Sequence, residues 1–98
     1  MWMNRTEIEI EVARAQAKQD VVLVHATTIL KQLQEETDAH SDGWSTWMKP
    51  AKAAEKLMQF IRKGGGTEAE LKKACVPIKA FYTRIGRAAG MVLPAGLL

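Results

Sequence analysis

Cysteine is nearly absent: Cys75 stands alone among 98 residues, which excludes an internal disulfide and any metal site built from several thiolates. One thiol also fits a reducing compartment, and a cytoplasmic location is expected. Long apolar runs are missing too. The longest, residues 21–24, has four members, against the ~18 or more needed to span a bilayer, so no membrane is expected as a partner. Near the N-terminus Arg5 is followed by Glu7, Glu9 and Glu11, the opposite of a signal peptide. Histidine is limited to His25 and His40, neither with a second ligand at metal-binding spacing, and Cys75 has no histidine near it in sequence to activate it. The glycine run 64–66 lacks the lysine and hydroxyl of a phosphate loop and reads as a helix stop. No catalytic constellation emerges; the expectation is a protein that is not an enzyme and needs no cofactor or metal.

What is present is ordinary globular material, 47% apolar and 26% charged, enough for one domain with a modest core. The expected class is all-α: a long N-terminal amphipathic helix followed by a C-terminal three-helix unit. Thr6 with Glu9 forms a capping box, and Asn4 offers a second cap. Ile8, Ala15, Val22 and Ile29 fall in one heptad register, and Val12, Gln19, Ala26 and Leu33 in another. A competing strand pattern exists in the alternation of residues 7–12 and the β-branched stretch 21–29, but the longer window favours helix. Unbroken over residues 6–37, that helix would reach roughly 48 Å at ~1.5 Å per residue, long beside the ~13 Å radius of a 100-residue domain. It therefore either breaks, near Gln19 and Asp20, or pairs with another chain. A homodimer joined by these helices is the favoured expectation, and an intramolecular hairpin is the alternative.

Charge divides the chain. Residues 1–48 hold four Lys or Arg against eight Asp or Glu, for −4, while residues 49–98 hold ten against three, for +7. The polar stretch 37–43 marks the change and serves as a linker, giving an N-terminal segment of residues 1–43 and a basic unit of residues 44–98, or one compact domain containing both. A basic half is an electrostatic footprint for DNA or another acidic surface; opposite charge would equally let the two halves dock, within one chain or across a dimer. Pro50 suits a first helical turn, after which Ala51, Ala54, Met58 and Ile61 continue an apolar face begun by Trp47, opposite Lys49, Lys52, Lys56 and Lys63. Arg62, Lys72 and Lys73 extend the lysine stripe. Lysines so spaced form either a solvated surface or a track for phosphates.

Thr67 and Glu70 make a second capping box, and Leu71, Ala74 and Cys75 follow at helical spacing. Pro77 lacks an amide proton and disfavours helix at Val76, so one helix is expected to stop near Cys75 and another to start at Pro77. The second would turn Ile78, Phe81, Ile85 and Ala88 or Ala89 inward and end at Gly90. The apolar tail after Gly90 is expected to tuck against the core or meet a partner.

Over residues 50–93 this arrangement resembles the helix-turn-helix family, including its winged-helix branch. Thr67, Glu70 and Leu71 match the T-x-x-E-L helix, with Val76 and Pro77 in place of the usual turn glycine. The resemblance implies that Lys79, Tyr82, Thr83, Arg84 and Arg87 lie on the helix that enters a DNA major groove. The expected function is a small DNA-binding regulator. Lys49, Lys52, Lys56, Lys72 and Lys73 would contact phosphates; Lys79, Thr83, Arg84 and Arg87 would read bases or adjacent backbone. The alternative is a small inhibitor or adaptor, of a kind common among phage and mobile-element products, that uses Trp44 and Trp47 to hold a host protein.

Overall fold

The computed structural model describes residues 3–39, 50–88 and 90–94. Among them every regular element is helical. Helix α1 (Arg5–Lys18) is capped by Asn4 and not by Thr6: the Asn4 side-chain oxygen accepts the Glu7 amide at 2.8 Å. It closes at Gln19, whose φ of 53° and ψ of 33° are left-handed, with the Asp20 amide returning to the Ala15 carbonyl at 3.3 Å. Asp20 then opens helix α2 (Val21–Ala39) by accepting the Leu23 amide at 3.0 Å. The expected single long helix is thus two. A polar residue at a seam position and an aspartate able to cap supply the break, and the seam folds back on itself.

Ile8, Ala15, Ala26, Ile29 and Leu33 are all buried within the one chain, with Val12 and Val22 packed at their edge. Residues 21–30 are helix and not strand. The seam that would have joined two chains is consumed in this hairpin, whose far ends are tied by the Arg5–Asp38 ion pair.

Pro50 occupies the first turn of α3 (Pro50–Ala53), and α4 (Glu55–Arg62) begins after the single residue Ala54. Together they bury Ala54, Leu57, Met58, Phe60 and Ile61. Gly64 and Gly65, at φ of 97° and 95°, end the helix with geometry that side-chain-bearing residues rarely adopt. Helix α5 (Glu68–Phe81) then starts on the reciprocal Thr67–Glu70 capping box.

The expected hinge at Val76 and Pro77 is absent; α5 runs through Pro77 without interruption. Leu71, Ala74, Cys75, Ile78 and Phe81 lie along one buried face. Their burial offsets the ~3 kcal/mol that an interior proline costs. The backbone donor lost at Pro77 would have served the carbonyl of Lys73, an exposed residue where water can take its place. The turn of a helix-turn-helix is therefore missing from its expected position.

Beyond Phe81 the chain widens into a π-helical turn, Tyr82–Gly86. Tyr82, four residues after Ile78, continues the buried face of α5; beyond it the wider turn shifts the phase of the helical path, so that Gly86 faces inward, Ile85 is half-buried and Ala88 is exposed. Gly86 is required there, because a Cβ would stand 2.8 Å from Cδ1 of Tyr82. Gly90, at φ 76°, ends the helical path as expected. Met91 and Pro94 are buried, so the described part of the tail packs on the core. The core is one cluster shared by both charge halves, within a chain of radius of gyration 12.8 Å.

Two measurements check this account. Pro77→Ala should keep the helical circular dichroism and raise stability toward urea by about 1–3 kcal/mol, since a continuous helix gains a hydrogen bond; a loss would mean that Pro77 marks a real joint. Thr67→Ala should cost about 1 kcal/mol through the lost cap.

Candidate nucleic-acid interface

At about 100° per residue, the buried side of α5 fixes what its other side presents. Lys72 and Lys79 fall along one edge of the exposed face, Lys73 along the other, with Val76 and Ala80 between them. The clefts around the helix bear this out. Lys79, Thr83 and Arg87 share a cleft of about 370 Å³ with Met91 and Leu93 of the tail. On the opposite edge Arg84 faces Lys52 of α3 across a groove of about 600 Å³ floored by Ala53, Pro77, Ala80, Phe81 and Ile85. Lys73 and Lys56 line a third cleft, of about 350 Å³, toward α4, together with Lys63 and the Glu70 carboxylate.

Eight of the nine residues expected to touch nucleic acid are thereby gathered around α5 and its π turn: Lys52, Lys56, Lys72, Lys73, Lys79, Thr83, Arg84 and Arg87. Lys49, with Trp44 and Trp47 of the expected partner site, lies outside the described residues. The expected separation of the phosphate-binding Lys72 and Lys73 from the base reader Lys79 by a turn is absent, because all three belong to α5.

The cations are not equivalent electrostatically. Arg62 approaches Glu7 at 3.7 Å, and Lys63 pairs with Glu70 at 3.0 Å while standing 5.5 Å from the centroid of the Phe60 ring. Lys63, expected as a member of the lysine stripe, and Arg62, expected to extend it, are thereby each engaged by a carboxylate. Lys52, Lys56, Lys72, Lys73, Lys79, Arg84 and Arg87 form ion pairs with no carboxylate among the described residues. Glu70 is the last acidic residue of the chain. Hydrogen bonds from the Thr67 amide, Lys63 and the Thr67 hydroxyl hold its carboxyl at about 2, well below the ordinary 4.5. It remains a carboxylate at neutral pH and marks where the acidic start of α5 gives way to its cationic remainder.

Tyr82 lies at the base of the cleft it lines with Lys79, Thr83 and Arg87, not on the exposed face. It is 3% exposed, its ring stands edge-on to Phe81 at 5.9 Å, and its buried hydroxyl has no hydrogen-bond partner among the described residues. Burial, aided by the Glu36 carboxylate, pushes the phenol well above its ordinary 10. Thr83 returns its hydroxyl proton to the Lys79 carbonyl at 2.9 Å, which leaves its oxygen lone pairs and its methyl to face outward. Cys75 is buried, and desolvation raises its thiol to about 11, so it stays protonated and unreactive at neutral pH.

Val76, expected in a hinge, is 62% exposed at the middle of the cationic face. The signal that would have placed it there is the apolar spacing of residues 71, 74, 75, 78 and 81, which crosses Pro77 without a gap. No helix among the described residues is long and apolar enough to cross a membrane. Comparison with models of known protein families, with curated proteins and with solved structures gives no match.

A phenol buried without a partner costs free energy, and its removal should not harm the surface beside it. Tyr82→Phe is expected to hold or raise stability, by up to about 1 kcal/mol in urea unfolding, with nucleic-acid affinity unchanged. A clear loss of stability would show that the hydroxyl has a partner.

Proposed function

We propose that the protein is a small DNA-binding regulator that grips double-stranded DNA with the exposed face of α5 and its π turn. The observation that carries this reading is the set of five cations, Lys72, Lys73, Lys79, Arg84 and Arg87, on the exposed side of one helical path, without a carboxylate after Glu70. From residue 72 to residue 87 such a path is roughly 22 Å long at ~1.5 Å per residue. At ~3.4 Å per step along a strand, that is about six base-pair steps.

A helix of ~10–12 Å diameter also fits the ~12 Å major groove. Lys72, Lys79 and Arg87 on one edge and Lys73 and Arg84 on the other are then directed at the two phosphate backbones that border the groove. Lys52 and Lys56, across their clefts from Arg84 and Lys73, add phosphate contacts on that second side. In this geometry most of the cations position the helix; its centre faces the bases. The mode differs from a helix-turn-helix, since one continuous helix supplies both functions.

Anisotropy of a labelled mixed-sequence duplex at a series of salt concentrations tests the reading. A log-log slope of about −3 to −5 is expected, at roughly 0.9 per phosphate. Reversing charge at Lys79 and Arg87 together should weaken binding and make the slope shallower by about 2. Both side chains are exposed, so the fold should survive. Unchanged affinity, or no binding at low salt, would remove the proposal.

A further inference from the structure

Val76 presents a branched apolar side chain, 62% exposed, in the centre of a face whose two edges are cationic. Among the described residues of α5 and its π turn it is the one large apolar side chain exposed to this degree; the others, Leu71, Ile78, Phe81 and Ile85, are buried or half-buried. Beside it, one turn further on, is Ala80, also exposed. The pair makes a narrow uncharged strip between the Lys72–Lys79 edge and the Lys73–Arg84 edge.

Charge complementarity selects a polyanion as the occupant of such a face. A polyanion that also offers apolar groups to a strip lying between two phosphate rows is B-form DNA: the C5 methyl of thymine is the apolar group displayed in its major groove. An A-form RNA duplex fits badly on both counts, since its major groove is too narrow to admit the helix and uracil carries no methyl.

We infer that Val76 reads thymine, packing its methyl groups against the C5 methyl of a thymine in the major groove, so that the protein prefers A·T-rich duplex. This rests on the DNA-binding reading above, and its test separates the two. Val76 contributes no charge and no hydrogen bond, so its effect is confined to the base and leaves the phosphate contacts as they are. Ala80 carries a single methyl one turn further on and Thr83 stands two turns further on, so neither occupies the position of Val76.

The experiment compares two labelled 24-base-pair duplexes that are identical except that every thymine in one is replaced by deoxyuridine. This removes the methyl groups and nothing else. One buried methyl is worth about three- to fivefold in affinity, so the natural protein should bind the thymine duplex by at least that factor more tightly. Val76→Ala, at an exposed helical position where alanine is the better helix former, should fold normally and bind both duplexes alike. The salt slope should be the same for both proteins.

Equal binding of the natural protein to both duplexes would overturn the inference while leaving the DNA-binding reading standing. A thymine preference that persists in Val76→Ala would overturn the assignment to Val76. Absence of binding to either duplex at 50 mM salt, roughly the lower end of the range in which such contacts are strong, would remove the DNA-binding reading and the inference with it.

Discussion

Burial of Ile78 and Phe81 beyond Pro77 is the constraint on which the rest of the surface depends. Were these two side chains not held in the core, the proline would end the helix near Cys75 and the cations on either side would belong to separate pieces. Fully burying side chains of their size is worth ~1.5–3 kcal/mol each, enough to offset the ~3 kcal/mol of an interior proline and its missing hydrogen bond. The cost falls on the solvent side, at the exposed Lys73 carbonyl, while the gain falls inside. A single rod carrying Lys72, Lys73, Lys79, Arg84 and Arg87 results from that balance.

The N-terminal hairpin provides the other side of that core. Its break is local chemistry: Gln19 takes the left-handed conformation, and Asp20 caps the next helix. Because the break reverses the chain, a seam long enough to join two molecules is instead closed within one. Leu23, Ile29, Leu30 and Leu33 of α2 then lie in the same cluster as Leu57, Ile61 and Ile78, so the helix that bears the cations is braced on its inner face. Near the π turn the bracing is tight. The Tyr82 ring lies against Gly86, its buried hydroxyl without a partner among the described residues, and Thr83, Arg84 and Arg87 issue from the opposite side of the same turn.

Much of this was legible in the sequence, for reasons that are local. The all-helical class, the Thr67–Glu70 cap, the glycine stop, Pro50 in a first turn and the pairing residues of the hairpin all rest on short spacings or on single-residue backbone preferences. The break at Gln19 could be suspected but not chosen over a continuous helix, because the choice turns on whether the seam finds a partner in its own chain. Pro77 was misread because a local preference for stopping competes with burial, and burial is known only once the neighbours are in place. Tyr82 stands four residues after Ile78 and seven after Cys75, so the apolar spacing itself puts it on the buried face; the resemblance to a recognition helix placed it outward instead. The candidate residues that spacing placed on exposed helix faces are exposed, but the separation of Lys72 and Lys73 from Lys79 vanished with the hinge, since all three lie on α5.

The opposite charge of the two halves allowed two readings, mutual docking or an external partner, and magnitudes bear on the first. Arg62 and Glu7 join the halves at 3.7 Å with both side chains nearly half-exposed, and a pair of that kind contributes at most about 1 kcal/mol, less in salt. The apolar side chains that the halves bury against each other, Leu33, Leu57, Ile61 and Ile78 among them, are each worth more. Docking therefore rests on the core and would survive neutralisation of the pair. Seven cations around α5 are left without a carboxylate from either half among the described residues, although the acidic hairpin is covalently attached and close by.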